Sequence, residues 1–219
     1  MSEPPTNHGG QSMESASRSR TAPKVLSVLG ADDSGSAAQN ERRKRIIDAT
    51  IALATKGGYE AVQMRAVAEK ADVALGTLYR YFPSKIHLLV TGLAREFERA
   101  QERLDRTKIP GETPYERVLY VLGRTTRALQ RNPQLTEAMT RAFMFADTSA
   151  AAEVDAVGAL VDRFFTRAMT DDEPTEEQKA IARVISDVWM SNLVAWVTRR
   201  SSASDVSNRL ELTVRLLLA

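Results

Sequence analysis

The sequence predicts an all-α protein, with a three-helix N-terminal domain followed by a larger helical bundle. Apolar residues recur at intervals of three and four from Glu41 onward, and no segment has the period of two that a half-buried strand would have. Gly, Pro and Asn interrupt this pattern at intervals that suit helix ends. A chain of 219 residues is long enough to bury a sizeable core, so these helices can pack into a stable protein.

The first 40 residues differ from the rest of the chain in composition. They are rich in Ser, Pro and Gly and contain no aromatic residue, which predicts a disordered arm. The short apolar run at residues 25–29 could order locally or on binding. Arg18, Arg20 and Lys24 would allow the arm to follow a DNA groove, whereas an uninvolved flexible tail is the alternative.

Three short helices are predicted between Glu41 and Pro83. The first ends at Gly57-Gly58, because glycine tolerates a left-handed cap. The second covers about residues 63–71 and the third about residues 75–82. Pro83 stops the third helix, and Ser84 is a good N-cap for the next. We place the N-terminal domain at residues 41–86 and the C-terminal domain at residues 87–219.

The C-terminal domain is predicted to contain six longer helices. The first of them begins after Ser84 and extends to about residue 106, where a segment containing Pro and Gly, residues 109–114, breaks the helical pattern. The others are predicted at about residues 114–131, 133–146, 151–169, 175–199 and 203–218. Thr175 and Gln178 have the spacing of a capping box at the start of one of them.

Positive charge is concentrated in the N-terminal domain. Residues 41–85 hold nine Lys and Arg against five Asp and Glu, a net charge of +4, whereas residues 86–219 carry −1. The whole chain carries only +2, which does not by itself indicate a polyanionic partner. The local excess is what a surface that faces phosphates would carry.

The second and third helices have the pattern of a helix-turn-helix, because one short helix ends and an aromatic, basic helix begins within four residues. Ala68 and Ala71 are small enough for the two helices to cross closely. Four apolar residues would fix this crossing from inside: Val67, Val73, Leu78 and Phe82. The third helix then has an exposed set consisting of Leu75, Gly76, Thr77, Tyr79, Arg80 and Tyr81.

Several of these exposed residues suit contacts with DNA bases. Arg80 can donate two hydrogen bonds to a guanine, and Thr77 can meet a thymine methyl group or a phosphate. Gly76 would let the start of the helix press against DNA with no side chain between them. A solvated surface charge is the alternative for Arg80.

Other polar residues suit the DNA backbone. Tyr79, Tyr81 and Lys85 carry groups that can bind phosphate oxygens, although the two tyrosines could instead be packing residues. Gln63 and Arg65, at the start of the second helix, are further candidates for contacts with the backbone or the bases. Arg42 and Arg43 belong to a basic run, residues 42–45, that would bring positive charge to the flanking duplex; a solvated face is the alternative.

The segments 58–68 and 73–85 resemble the TetR family of bacterial repressors. The resemblance covers roughly residues 41–90 and implies an all-helical homodimer of about nine helices, in which three N-terminal helices bind operator DNA and a C-terminal bundle responds to a ligand. Three positions depart from the family pattern. Val62 stands where a Thr usually caps the second helix, Ala74 where a Ser caps the third, and Ile86 where an acidic residue follows the Lys.

A narrower resemblance within that family covers the whole chain. The Ser-rich arm and the helix at residues 189–196 are similar to those of the actinobacterial repressors of cholesterol catabolism. This resemblance implies autorepression, control of sterol and lipid degradation genes, and an inducer that is a coenzyme A thioester of a steroid acid. A repressor of the same family that senses another apolar ligand is the alternative.

Large and adaptable side chains in the C-terminal bundle could line an apolar ligand cavity. The candidates lie on three helices and are Met139, Phe143, Met144, Phe164, Phe165, Met169, Trp189, Asn192, Leu193 and Trp196. Asn192 could provide a hydrogen bond for a ligand carbonyl. The alternative is that all of these residues belong to an ordinary core.

The last two helices are apolar over more than one face, which is typical of helices that pack on their own domain and on a partner. They predict a two-fold homodimer that places two recognition helices about 34–36 Å apart, one turn of DNA. A ligand in the bundle would push the fourth helix and spoil that spacing. A coupling free energy of about 1–3 kcal/mol would weaken DNA binding about 5–150-fold.

Other classes of protein are disfavoured. The chain has no Cys, and its only histidines, His8 and His87, lie in different regions, so we expect no enzyme activity, metal site or cofactor. No apolar run approaches the roughly 20 residues of a membrane-spanning helix, and no signal peptide is evident, which predicts a cytoplasmic protein. A helical adaptor that does not bind DNA remains the second alternative.

Overall fold

A computed structural model describes residues 37–219. These residues form nine α-helices and one 3-10 turn, with no strand among them, so the predicted all-α class is confirmed. The helices are α1 (Ala37–Ala61), α2 (Met64–Ala71), α3 (Leu75–Tyr81), α4 (Lys85–Asp105), α5 (Pro114–Gln130), α6 (Pro133–Met144), α7 (Ala151–Met169), α8 (Glu176–Val197) and α9 (Ala203–Leu218). The 3-10 turn, Thr148–Ala150, lies between α6 and α7.

The helix ends follow the local sequence closely, with one exception at the N-terminus. Helix α1 begins at Ala37, inside the predicted arm, since Ala37 and Ala38 favour helix strongly. The predictions for Arg18, Arg20, Lys24 and residues 25–29 lie outside the described residues.

Gly57 and Gly58 interrupt α1 where the sequence predicted its end. Gly57 has φ −144° and Gly58 has φ 65° and ψ −159°, so the backbone leaves the helical conformation at both residues. The conformation of Gly58 is one that residues with a Cβ rarely adopt. Tyr59, Glu60 and Ala61 then complete α1 beyond this kink.

Side-chain caps fix the starts of α4, α5, α8 and α9. Ser84 accepts a hydrogen bond from the Ile86 backbone N–H at the start of α4. The predicted capping box of Thr175 and Gln178 is present on α8. Two further boxes, Thr113 with Glu116 on α5 and Ser202 with Asp205 on α9, satisfy the first backbone N–H groups in the same way.

The N-terminal helices join the bundle through two contacts. Helix α1 packs along α6 and also against α4, while α4 continues into the bundle and packs against α6 and α7. Helices α7, α8 and α9 pack in sequence, and α5 covers α7 and α9. A shift of α4 or α6 within the bundle would therefore change the packing of α1.

Helix α8 departs from one expectation, because its 22 residues are long and apolar enough to cross a membrane by length and composition. Its packing gives another reason for that composition. Trp189 is fully buried between Phe97 and Phe165 and donates a hydrogen bond to Thr126, so one side of α8 belongs to the bundle core. The other side holds exposed apolar residues such as Val184.

Candidate DNA-binding surface and sensor core

The turn between α2 and α3 has the geometry of a helix-turn-helix. Asp72 ends α2 in the left-handed conformation, with φ 53° and ψ 57°, a region in which Asp is one of the few tolerated residues with a side chain. Ala68 and Ala71 are buried at the crossing, as predicted. Of the four apolar residues expected inside, Val67, Leu78 and Phe82 are buried and Val73 is half-buried.

The predicted exposed face of α3 divides into two groups. Gly76, Tyr79 and Arg80 are exposed, and the Tyr79 side chain has 49% of its surface accessible. A Cβ added at Gly76 would meet nothing within 4 Å, so this position is open to an approaching molecule. Leu75, Thr77 and Tyr81 are only half-buried, and Leu75 and Tyr81 also pack against the core.

The starts of α2 and α3 lack side-chain caps among the described residues. Ala74 is the N-cap of α3, in agreement with the sequence analysis. The expectation for α2 was wrong by one residue, because Gln63 occupies the N-cap position. Val62 is instead fully buried, and an apolar residue there contributes to the core.

The basic run on α1 does not form a uniformly free surface. The Arg43 guanidinium lies 4.8 Å from the centre of the Phe82 ring, so this residue stacks on the end of α3. Burial lowers the pKa of Arg43, against the opposing effect of Glu153 on α7. Arg45 lies 3.8 Å from Asp72, and Arg42 is half-buried. Arg43 therefore packs against the residue that ends α3, and its predicted contact with flanking DNA stays a prediction.

Gln63, Arg65 and Lys85 differ in their exposure and contacts. Gln63 and Arg65 are exposed at the start of α2. The Lys85 ammonium lies 3.8 Å from the centre of the Tyr59 ring and 3.9 Å from the Glu60 carboxylate. The first two residues are thus open to solvent, whereas Lys85 is held beside the N-terminus of α4 by groups from the end of α1.

His87 connects the start of α4 to the turn that follows α6, a role that the sequence analysis missed. The ring is buried, its Nδ1 lies 3.0 Å from Ser84 Oγ, and its Nε2 lies 3.1 Å from the Ser149 carbonyl oxygen. The Ser84–His87 spacing is visible in the sequence, but Ser149 is 62 residues away. His87 therefore links the 3-10 turn before α7 to the start of α4, the helix that follows α3.

The predicted sensor residues form an aromatic core. The Trp189 ring meets Phe97 at 5.8 Å and Phe165 at 5.7 Å, both edge to face, and Phe164 meets Phe165 at 6.1 Å. Met139, Met169 and Leu193 are also buried. Phe97 on α4 was not among the predicted residues, although it belongs to the apolar side of that helix.

Three predicted residues lie less deeply than expected. Met144 is the last residue of α6 and is 50% exposed, so it does not line the core. Phe143 and Trp196 are half-buried.

Asn192 is buried, and its side chain makes one hydrogen bond within the described residues. Its Nδ2 donates to the Val188 carbonyl oxygen at 2.8 Å, and its Oδ1 has no partner among the described residues. The unpaired atom is an acceptor, so a ligand hydroxyl would satisfy it and a ligand carbonyl would not.

Two cavities lie outside this aromatic core. A crevice of about 490 Å³ separates the end of α1 from α6 and the end of α8, and Tyr59, Arg141 and Trp196 line part of it. A second cavity of about 360 Å³, with Arg117 and Arg167 in its wall, lies at the far end of α4. Within residues 37–219, no three His, Asp or Glu side chains are grouped as a metal site would require.

Comparisons with known proteins agree with this architecture. Residues 46–90 match the model of bacterial regulatory proteins of the tetR family, and residues 111–217 match that of the tetracyclin repressor-like C-terminal domain. The HTH-type transcriptional repressor KstR of Rhodococcus jostii is 70% identical over 206 residues, which are 94% of this chain and 96% of that protein.

Two solved structures have the same fold. A TetR transcriptional regulator from Rhodococcus sp. RHA1 has 32% identity and a TM-score of 0.76, and the match covers 83% of this chain and 98% of that one. Thermus thermophilus FadR, a TetR family repressor in complex with lauroyl-CoA, has 22% identity and a TM-score of 0.63, covering 80% and 92%. With both domains matched and a curated relative at 70% identity, the chain belongs to the tetR family of bacterial regulatory proteins.

Proposed function

We propose that the protein is a homodimeric repressor of lipid and cholesterol catabolism genes that leaves its operator DNA when a steroid acyl-CoA binds. The observation that carries the proposal is the face of α3, where Gly76, Tyr79 and Arg80 are exposed while Leu78 is fully buried. The 70% identity to a KstR repressor supports it. A bacterial repressor of this kind acts in the cytoplasm, because the operator DNA that it binds is located there.

Residues of α3 and the first residue of α4 have different roles in the proposed DNA recognition. Arg80 reads a guanine and Thr77 a neighbouring base, while Tyr79, Tyr81 and Lys85 bind phosphates that set the register. Arg43 holds Phe82 from behind, which fixes the angle of α3 in the major groove. Gln63 and Arg65 extend the contact along the backbone.

Substitution of Arg80 tests the DNA-binding role. Arg80→Ala should weaken binding by about 1–3 kcal/mol and relax the preference at one base pair, measured by fluorescence anisotropy with a duplex selected from a randomised pool. Lys85→Ala should weaken all sequences similarly. Arg124→Ala, which removes an exposed arginine of α5, is the matched control. A protein whose weak DNA binding is insensitive to Arg80 would be the helical adaptor instead.

The outer surface of α8 and α9 supports dimerisation. Val184 on α8 and Leu212 and Leu216 on α9 are exposed apolar residues, and Leu216 has 74% of its surface accessible. A monomer would leave these side chains in water, whereas a two-fold contact buries them. Sedimentation equilibrium should give a dimer, and Val184→Glu with Leu212→Glu should give a folded monomer with much weaker operator affinity.

The inducer is proposed from the relatives and from the chemistry of the core. The same fold holds lauroyl-CoA in Thermus thermophilus FadR. In this chain the aromatic core around Trp189 is apolar, and the unpaired Asn192 Oδ1 gives it one acceptor for a ligand hydroxyl. A flat, apolar steroid with a hydroxyl group and an acyl-CoA tail suits this core.

Titration of the complex with operator DNA tests the inducer. The coenzyme A thioester of a steroid acid should weaken DNA binding about 5–150-fold, as expected for a coupling of about 1–3 kcal/mol. Free coenzyme A and the free steroid acid are the controls. Release by lauroyl-CoA alone would identify the protein as a repressor that senses fatty acyl chains, and no release by any of them would refute ligand control.

A further inference from the structure

Three elements meet at a small charged cluster between the two domains. Tyr59 and Glu60 come from the end of α1, Lys85 from the first turn of α4, and Arg141 from the last turn of α6. The Tyr59 ring has the Lys85 ammonium 3.8 Å and the Arg141 guanidinium 4.2 Å from its centre. The Tyr59 ring and the Glu60 side chain therefore each contact two cations, one from the DNA-binding side and one from the bundle.

The two oxygens of Glu60 are divided unequally between these cations. Glu60 Oε1 accepts a hydrogen bond from Arg141 Nη1 at 3.0 Å, whereas Glu60 Oε2 is 3.9 Å from Lys85 Nζ, beyond hydrogen-bond distance. Arg141 also lies 3.9 Å from Glu137 on its own helix. Arg141 thus takes the larger share of the Glu60 charge and leaves Lys85 only loosely paired.

We infer that Arg141 is a positioning residue for Lys85: by binding Glu60, it keeps the Lys85 ammonium available to a DNA phosphate. The inference rests on the proposed function, in which Lys85 binds the backbone. Without Arg141, the full charge of Glu60 acts on Lys85, and the two form a close ion pair that competes with the phosphate. Because Arg141 lies on α6, a displacement of α6 changes the same balance, which couples the bundle to DNA affinity.

The salt dependence of DNA binding measures this effect directly, because each phosphate contact adds about 0.9 to the slope of log K against log salt concentration. Arg141→Gln should reduce the magnitude of the slope by up to about one for each subunit. It should also weaken DNA binding by up to about fivefold for each subunit, which corresponds to the free energy of a partly exposed ion pair. Arg141→Gln with Glu60→Gln should recover the slope. Glu60→Gln alone should raise the affinity.

Two further variants separate a local effect from a loss of positive charge. Arg124→Gln removes an arginine from the exposed surface of α5 and should leave the slope unchanged. In a Lys85→Gln background, Arg141→Gln should have no additional effect, because its action passes through Lys85. Circular dichroism checks that each variant is folded, and Glu60→Gln still tests the inference if Arg141→Gln does not fold.

The inference and the proposed function fail in different ways. An unchanged slope in Arg141→Gln, or an equal loss of affinity in the Lys85→Gln background, overturns the role of Arg141 while wild-type protein still binds its selected duplex. If the wild-type protein selects no duplex at all, the proposed function itself is wrong.

Discussion

Replacement of Trp189 by alanine is expected to lower the free energy of unfolding by about 3–5 kcal/mol. Trp189 is fully buried, and its ring contacts Phe97 and Phe165 from two different helices. Its indole N–H donates to Thr126 Oγ1 at 2.9 Å, which adds a third helix to the same contact. The substitution removes a ring that joins α4, α5 and α7 to α8.

The size of the effect follows from these contacts. Truncation of a buried Trp to Ala costs about 3–5 kcal/mol through lost transfer energy and the cavity that remains. Within that total, each edge-to-face pair contributes about 0.5–1.5 kcal/mol. Trp189→Phe keeps a ring but leaves the buried Thr126 hydroxyl without its donor, so its cost should be about 1–3 kcal/mol.

Urea unfolding followed by circular dichroism at fixed protein concentration measures these costs, since the stability of a dimer depends on concentration. Thr126→Val provides a double-mutant cycle with Trp189→Phe, and the two costs should add to more than the cost of the double variant. If Trp189→Ala lowered the unfolding free energy by less than about 1 kcal/mol, the aromatic residues would not form a packed core, and our account of the bundle would be wrong.

Three other perturbations test local features. Gly76→Ala should stabilise α3 by up to about 1 kcal/mol yet weaken DNA binding, because its new methyl group meets only the DNA; equal DNA affinity would refute the close approach. Gly58→Ala should cost about 1–3 kcal/mol in thermal unfolding, because φ is 65° there; an unchanged melting temperature would contradict this. Hydrogen bonds from the backbone N–H groups of Glu112 and Thr113 lower the pKa of Glu116, and hydrogen bonds from the Ser202 hydroxyl and then its backbone N–H lower the pKa of Asp205. The stability they provide is present above the unfolded pKa values and is lost as pH falls below about 4, so Glu116→Gln and Asp205→Asn should flatten the acid limb of stability against pH.

The helix ends were the most predictable part of the fold, because local chemistry determines them. Ser84, Thr175 and Gln178 cap helices through residues two or three positions away, and Gly57-Gly58 breaks α1 through its own backbone. A single sequence contains all of that information. The one end that differed, the start of α1 at Ala37, lies where a helix-favouring pair adjoins a segment of different composition.

The contacts that organise the candidate site could not be predicted in the same way. The contact of Arg43 with Phe82 joins residues 39 positions apart, and the sequence analysis assigned Arg43 only to a basic run near DNA. Glu60 and Arg141 are 81 residues apart, and nothing in local spacing pairs them. Met144 has the apolar character of a core residue and is nevertheless exposed at the last position of α6, and its side-chain type alone does not determine its depth.

The closed state of the aromatic core constrains how an inducer could act. Phe165 and Trp189 are fully buried and in contact, so a ligand that enters between them must displace packed side chains. Phe97, which belongs to the same cluster, lies on α4, and the first turn of α4 contains both Lys85 and His87. Displacement of Phe97 therefore acts on the helix that begins directly after the recognition helix. Trp189, which stabilises the closed core, is thus in direct contact with Phe97, the side chain that would transmit ligand binding to α4.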